Sequence, residues 1–260
     1  MNKRNSLRLS RITFPLVFAL MILLSWSVAT AFFRIPEYLL PAPGRILQVM
    51  TRDSAYFANH SITTLIEAVL GFLVAVVAGF LIGTTFAIFG YIERMILPYA
   101  IASQAIPIVA IAPLFILWLG NSLASKVAMA AVLCFFPMVV NTTRGLRSVG
   151  DQQLALMRVY NATRWQIFWK LRFPSSLAFI LSGMRISAAL AMIGAIVAEY
   201  AGADRGIGYV IMQATYRLDT VQLFAGNFYS ALGGLLIFGG VLMVEYLFLP
   251  RYTSRLGEIN

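Results

Sequence analysis

Long apolar runs alternate with short polar segments along most of the chain. A helix needs about 20 mostly apolar residues to cross the hydrocarbon of a bilayer, and six segments of this kind are present. They are Ile12–Phe33, Thr64–Gly90, Ile96–Leu119, Ala124–Thr143, Ser176–Ala201 and Phe228–Leu249. The pattern predicts an all-α membrane protein with six transmembrane helices, in which residues 1–260 form a single transmembrane domain.

Three further patterns add detail to this plan. Pro41-Ala42-Pro43-Gly44 predicts a turn, because proline fixes φ and lacks a backbone donor. From Arg45 to Ala58 apolar residues recur at helical spacing, which predicts a helix lying in the membrane interface. In the second span, Gly79 and Gly83 lie four residues apart, a spacing that lets two membrane helices approach closely.

The third span contains Pro107 and Pro113, with Gln104 one turn before the first proline. Each proline removes a hydrogen bond of the helix, and backbone freed within lipid must be covered by protein or must line a cavity. Two interpretations follow. The span is either a kinked packing helix, or a broken helix that borders a substrate path, as in many transporters. On the second interpretation Gln104 and Pro107 lie on that path.

Composition supports a membrane protein and excludes a soluble domain. The chain is 60% hydrophobic and only 12% charged, whereas soluble proteins are about 25% charged. The net charge of +10 is explained by topology rather than by nucleic-acid binding. With a cytoplasmic amino terminus, 13 basic residues fall on inner segments and 6 on outer segments, as the positive-inside rule requires. Both termini are therefore expected in the cytoplasm.

The first apolar run and the single cysteine leave smaller questions. A run of about 20 residues is longer than the 7–15 of a cleavable signal peptide, so a retained first span is favoured over cleavage. Cys134 lies within the fourth span and has no partner for an intrachain disulfide. Its expected role is core packing.

The segment from Arg144 to Pro174 lies between the fourth and fifth spans and holds six basic residues and one acid, Asp151. Its pattern predicts two short helices, the first over Asp151–Tyr160. Asn161 suits the left-handed conformation that ends a helix. Thr163 and Gln166 have the spacing of a capping box at the start of the second helix.

The second helix places Trp165, Phe168, Trp169 and Arg172 on one face, and Pro174 is expected to end it. The aromatic face allows two interpretations. Its tryptophans either lie in the membrane interface or dock against a partner.

Apart from Lys126, which lies at the outer end of the fourth span and is counted with the outer segments, four charged residues fall within the predicted spans. Arg185 and Glu199 are functional candidates, because charges within a bilayer usually face the bundle or water. About 21 Å separates them along one helix at 1.5 Å per residue, so each needs another partner. Glu67 and Glu245 lie nearer to span ends, and we expect them to extend towards the interface. His60 is isolated, and no metal site is predicted.

The spacing from Asn161 to Leu171-Arg172-Phe173-Pro174 resembles the cytoplasmic loop signature of binding-protein-dependent ABC importer permeases, EAA-x3-G-x9-I-x-L-P. Two positions differ, since Ala155-Leu156-Met157 replaces the EAA triplet and Asn161 replaces glycine. The chain is most similar to the nitrate/sulfonate/taurine/bicarbonate-type permeases and to related pyrimidine and riboflavin precursor permeases. Further motifs that carry the resemblance are Ala112-Pro113-Leu114, Phe136-Pro137, Gly183-Met184-Arg185, Ala198-Glu199 and Gly206-Ile207-Gly208-Tyr209.

The resemblance implies a homodimeric permease of the type I ABC importer fold, in which residues 144–175 form a cytoplasmic coupling loop between helices 4 and 5. The loop would dock on a cytoplasmic ABC ATPase, and a periplasmic or lipid-anchored binding protein would deliver the substrate. The implied ATPase-coupling residues are Asp151, Ala155, Tyr160, Asn161, Ala162, Thr163, Trp165, Phe168, Trp169, Phe173 and Pro174. The candidate substrate path holds Gln104, Pro107, Arg185 and Glu199.

The same resemblance implies a chain without catalytic residues, metal or cofactor of its own. It lacks the GxxxxGK[ST] phosphate loop, so ATP and Mg would be bound by the partner ATPase. The expected location is the bacterial inner membrane, in contact with lipid and without nucleic acid. The favoured cargo is a small anion such as nitrate, sulfonate, taurine or bicarbonate. A pyrimidine or riboflavin precursor is the alternative, and a partner-independent secondary transporter is a less favoured one.

Overall fold

A computed structural model describes residues 3–257, with side chains for residues 13–247. This part of the chain is helical and contains no strand, so the predicted all-α fold class is confirmed. The helices are α1 (Lys3–Phe32), α2 (Pro43–Arg52), α3 (Ser54–Ile88), α4 (Gly90–Ser103), α5 (Ile108–Leu119), α6 (Leu123–Arg147), α7 (Asp151–Val159), α8 (Arg164–Ile167), α9 (Phe173–Ala201), α10 (Ile207–Tyr216) and α11 (Thr220–Gly257).

Within the described residues, five helical segments are long and apolar enough to cross a membrane, and a bent helix pair makes a sixth span if it is counted as one. The five are Thr13–Phe32, Ser54–Ile88, Leu123–Arg147, Arg164–Ala201 and Thr220–Leu247. The predicted number of spans is therefore reached only with the bent pair. The predicted cytoplasmic placement of both termini stays a prediction, and residues 1–2 and 258–260 lie outside the described residues.

The predicted third span is not one helix. α4 and α5 meet at 102°, and the break lies between Gln104 and Pro107. Pro107 has φ −59° and ψ 122° and directly precedes α5. Because Pro107 lacks an amide hydrogen and disfavours helical backbone at the residue before it, the helix stops there. Pro113 lies inside α5, so only one of the two prolines breaks the span.

The predicted interfacial helix is shorter than expected. α2 ends at Arg52, and Asp53 caps it through its amide, which donates to the carbonyl of Val49 at 2.9 Å. Ser54–Ala58 belong to α3 instead. Only Pro41 and Ala42 of the predicted turn lie outside a helix, since α2 begins at Pro43, and proline is favoured in a first helical turn, where no donor is needed.

Pro174 does not end the second loop helix, so that prediction is wrong. A π-helical turn, Phe168–Arg172, joins α8 to α9, and helical backbone continues from Arg164 to Ala201. The amide of Phe173 donates to the carbonyl of Phe168, five residues back. Pro174 then falls in the first turn of α9, where its missing donor is tolerated. The fifth span therefore starts within the loop rather than at Ser176.

The chain forms two compact groups of residues, which are described separately: residues 1–59 with 210–228, and residues 60–209 with 229–260. In the first group α1 contacts α2. The rings of Trp26 and Phe224 lie 5.5 Å apart, and the hydroxyl of Thr220 donates to the carbonyl of Tyr38 at 2.6 Å.

The second group is built on α6 and α9, which pack along each other, with α5 against both. Small residues allow the close approach, and those of its core include Ala68, Ala75, Ala188, Ala191 and Ala195. A Cβ added at Gly79 would lie 2.5 Å from Cβ of Met138, and one at Gly83 would lie 2.7 Å from Cβ of Thr142. The predicted glycine-mediated contact of the second span is confirmed, and its partner is α6.

Cys134 is fully buried in this core. Its thiol donates to the carbonyl of Ser187 at 3.1 Å, and the hydroxyl of Ser187 donates back to the carbonyl of Cys134 at 2.8 Å. These two bonds link α6 and α9 side by side. The predicted packing role is confirmed.

Candidate functional site

The loop between α6 and α9 contains the first candidate site, and Asn161 sets its shape. Asn161 has φ 51°, in the left-handed region that asparagine tolerates better than other residues with a side chain. Its amide donates to the carbonyl of Arg158 at 2.9 Å, and the amide of Ala162 donates to the carbonyl of Met157 at 3.0 Å. These bonds form the motif that closes a helix at a left-handed residue. The predicted end of α7 is confirmed.

Thr163 starts α8 as the capping box predicts. The amide of Gln166 donates to the hydroxyl of Thr163 at 3.3 Å, and the amide of Thr163 donates to Oε1 of Gln166 at 2.8 Å. Each side chain thus satisfies a backbone donor that the first helical turn leaves free. The turn at Asn161 and the cap at Thr163 together fix the path of the chain between α7 and α8.

Beyond the cap, an aromatic cluster forms from Trp165, Phe168, Trp169 and Phe173. Ring centroids lie 5.5 Å apart for Trp165 and Trp169, 5.1 Å for Phe168 and Trp169, and 5.2 Å for Trp169 and Phe173. Trp165 remains 69% exposed. Tyr160, at the end of α7, is 76% exposed. Large aromatic side chains left open on a short loop are typical of a surface that another protein covers.

The other coupling residues predicted from sequence lie along the same loop. Asp151 is the first residue of α7, where its carboxylate complements the helix dipole. Ala155 lies one turn further along α7 and Ala162 lies in the turn. Pro174 lies in the first turn of α9. The structure therefore brings the predicted set onto two short helices and their junctions.

Arg185 finds its partner on another helix. One of its terminal nitrogens lies 2.7 Å from Oε1 of Glu245, so the ion pair ties the middle of α9 to α11. The Glu245 side chain is 18% exposed, and the expectation that it extends towards the interface is wrong. An arginine needs a carboxylate in this setting, because a lone charge within a bilayer is costly.

Glu199 is fully buried near the end of α9. Its Oε1 accepts from the hydroxyl of Thr64 at 2.7 Å, and its Oε2 accepts from the amide of Gly208, at the start of α10. The amide of Ile207 donates to the hydroxyl of Thr64 at 2.7 Å. A carboxylate at the first turn of a helix is favoured by the helix dipole. Glu199 therefore holds the start of α10 against α3 and α9.

Gly206 makes this arrangement possible. Its φ is 106°, and a Cβ at this position would collide with the carboxylate of Glu199. Its amide donates to Nδ1 of His60 at 3.0 Å. Sequence reasoning did not predict α10 or this set of bonds. The available signal was Gly206-x-Gly208 a few residues after a buried acid.

Glu67 belongs to the same set of contacts. Its carboxyl group lies close to that of Glu199 and only 4% of the residue is exposed, so the expectation that it extends towards the interface is wrong. It lines a cavity of about 400 Å³ that also contains Lys126 and Arg205. Lys126 is itself 4% exposed and donates to the side chain of Asn121.

At the rim of that cavity, Asp204 is exposed, and the hydrogen bond from Arg205 lowers the pKa of Asp204. The rim therefore carries one acid and one base that are paired with each other.

Gln104 lies at the break between α4 and α5, where its amide donates to the carbonyl of Ile101 at 3.0 Å. It lines two neighbouring cavities, of about 220 and 480 Å³. The four residues predicted for the substrate path therefore take part in three separate sets of contacts: Gln104 and Pro107 at the break, Arg185 with Glu245, and Glu199 with Thr64.

Comparison with known proteins matches residues 71–249 to the family described as binding-protein-dependent transport system inner membrane component. The formylaminopyrimidine transport permease protein of Halalkalibacterium halodurans is 37% identical, over 91% of this chain and 94% of that protein. A riboflavin transport system permease protein of Chloroflexus aurantiacus is 33% identical, over 79% and 77%. An aliphatic sulfonates transport permease protein of Bacillus subtilis is 31% identical, over 89% and 85%.

Proposed function

The chain belongs to the family of binding-protein-dependent transport system inner membrane components, and we propose that two copies of it form the translocation path of an ATP-driven importer. At the level of the family it is a multi-pass ABC importer permease for small solutes, and a non-catalytic subunit. The proposal adds the assembly. Cytoplasmic ATPases, with their ATP and Mg, would drive the pair, and a binding protein would load it from outside.

The loop between α6 and α9 is the proposed ATPase contact. The observation that carries this role is the exposed aromatic cluster, held in place by the left-handed Asn161 and by the Thr163–Gln166 capping box. A contact that transmits force must be rigid. The continuous helical backbone from Arg164 to Ala201 supports this, because a push on α8 would act directly on a membrane span.

The experiment is to replace Trp165 and Phe168 with alanine in the permease and to reconstitute it with its ATPase and binding protein. We expect loss of substrate-stimulated ATP hydrolysis and of uptake, with normal membrane insertion. Phe14→Ala is a matched control, since Phe14 is a 73% exposed aromatic residue on α1, outside the proposed ATPase contact. Normal uptake and an unaltered amount of co-purified ATPase in the double variant would contradict the docking role. Uptake without ATPase would favour a secondary transporter.

For the cargo we propose a small nitrogen heterocycle of the vitamin-precursor type. The support is the rank of the relatives, since the formylaminopyrimidine and riboflavin permeases, at 37% and 33%, are more similar than the sulfonate permease at 31%. The small-anion cargo favoured from the sequence becomes the alternative.

The test of the cargo is a thermal-shift and tryptophan-fluorescence screen of the cognate binding protein. An aminopyrimidine, riboflavin, taurine and nitrate are compared at equal concentrations. We expect the heterocycles to bind and stabilise the protein, while taurine and nitrate do not. A response to the anions alone would reverse the assignment. Uptake of the solute that binds best, measured with the reconstituted permease, then shows that this chain transports what the binding protein delivers.

A further inference from the structure

A cavity of about 750 Å³ lies between the end of α3 and the loop that joins α6 to α9. Its walls come from the end of α3, from α7 and from the start of the long helix that leads into α9. The lining residues are Thr84, Ile88, Leu154, Arg158, Ala162, Arg164, Trp165, Ile167, Phe168 and Arg172. It is large enough for a ligand and lies where two candidate spans, Ser54–Ile88 and Arg164–Ala201, end or begin.

Three arginines line this cavity, and no carboxylate does. Over the residues with described side chains, Arg158, Arg164 and Arg172 take part in no ion pair. Arg158 and Arg164 are exposed and Arg172 is half-buried. Like charges that share a cavity repel one another, and the repulsion is stronger at the half-buried Arg172, where protein lowers the local dielectric constant. The arrangement therefore has a strong preference for an anion.

Two buried polar atoms belong to residues that line this cavity. Nε of Arg172 and the hydroxyl of Thr84 are both buried and have no hydrogen-bond partner, and both residues line the cavity. Buried polar groups in proteins are nearly always hydrogen-bonded. An anionic ligand with several oxygens would accept from the guanidinium and from the hydroxyl together.

We propose that this cavity binds a phosphate-bearing anion, and that its source is the headgroup of an anionic phospholipid. Arginine forks match phosphate oxygens in charge and geometry. The remaining walls are apolar, with Ile88, Leu154 and Ile167 among them, which suits a ligand whose charged head continues into acyl chains. Basic clusters at the ends of membrane spans are typical sites for anionic lipids.

The site goes beyond the proposed function and has a consequence for it. Trp165 and Phe168 line the cavity and also belong to the aromatic cluster. A headgroup bound beneath them holds the ATPase-docking surface in place. Coupling then depends on anionic lipid, whatever the cargo is.

The test uses the purified full chain in neutral detergent. Binding of dioctanoyl-phosphatidylglycerol is measured by native mass spectrometry and by the rise in unfolding temperature, beside dioctanoyl-phosphatidylcholine and inorganic phosphate. We expect the affinity for phosphatidylglycerol to exceed that for phosphatidylcholine at least tenfold. Arg172→Gln is expected to lower it at least tenfold, and Arg158→Gln with Arg164→Gln further.

One control variant and one further test variant keep the result interpretable. Arg52→Gln removes one exposed charge that is not among the residues lining the cavity, and we expect it to change affinity less than twofold. Thr84→Val keeps the shape of the side chain and loses only the hydroxyl. Its affinity should fall several-fold, which provides the test even if Arg172→Gln does not fold.

Three outcomes would overturn the proposal. The first is equal affinity for both lipids. The second is displacement of phosphatidylglycerol by inorganic phosphate at equal concentration, which would assign the site to free phosphate. The third is loss of ATPase binding in the arginine variants with unchanged lipid binding, which would assign the arginines to a protein partner.

Discussion

Asn161 carries the shape of the loop through its backbone. With φ 51°, alanine at this position is expected to cost about 1 kcal/mol, because its Cβ crowds the following carbonyl oxygen in the left-handed region, whereas glycine has no such cost. We predict that Asn161→Ala speeds amide hydrogen exchange over residues 151–167 by about fivefold and that Asn161→Gly leaves it unchanged. Gln152→Ala, on an exposed helical position of α7, is the control. Equal exchange in both Asn161 variants would contradict this argument.

Variants of Arg185 and Glu245 distinguish a packing role of Arg185 from a role in transport. Arg185→Met alone leaves the half-buried Glu245 without its cation, and one oxygen of that carboxylate is already buried without a hydrogen-bond partner. We expect a loss of about 1–3 kcal/mol in the free energy of unfolding, the range for an unsatisfied buried group. Arg185→Met with Glu245→Met removes both charges and should recover most of it. Thermal unfolding in detergent measures both.

Uptake completes the test of Arg185. If Arg185 belongs to the substrate path, the double methionine variant recovers stability and still transports at a small fraction of the normal rate, with its ATPase bound. Wild-type uptake in that variant would give Arg185 a packing role only.

At the scale of helices, glycine sets how closely α3 approaches α6. Gly83→Ala would bring a Cβ to 2.7 Å from Cβ of Thr142, and overpacking of this kind costs about 1–3 kcal/mol. Gly239→Ala has nothing within 4 Å and should stabilise α11 by about 0.5–1 kcal/mol. Thermal unfolding of the two variants should therefore shift in opposite directions. A loss at both positions would show that the cost is not steric.

The sequence predicted the helix boundaries that are set by residues close to them in the chain. Asn161, Thr163 and Gln166 act on the backbone within a few residues, and their prediction was correct. Pro174 shows the limit. Whether Pro174 ends the helix depends on the π-helical turn before it, and no residue pattern in the sequence predicts that turn.

Partners distant in sequence were not predictable in the same way. Glu199 contacts Thr64, 135 residues away, and Arg185 contacts Glu245, 60 residues away. Sequence reasoning required only that a buried charge be paired, without naming the partner. Which residues pair is decided by how the spans pack. The glycine and alanine surfaces that direct packing do not specify which residues of two helices lie side by side.

For the whole molecule, the side of the membrane on which the loop lies is a prediction from the basic residues alone. Cys134 is fully buried, so the natural chain provides a background that a membrane-impermeant maleimide should not label. Val159→Cys places a thiol on the loop at a 76% exposed position. Arg205→Cys places one beyond the end of α9, where the side chain is 69% exposed.

We predict that intact spheroplasts are labelled at Arg205→Cys and not at Val159→Cys, and that permeabilised cells are labelled at both. The physical reason is the positive-inside rule, since the loop holds six basic residues and one acid. The reverse pattern would place the aromatic cluster outside the cell. A cytoplasmic ATPase could not then reach it, and the arginine-lined cavity would face the outer leaflet.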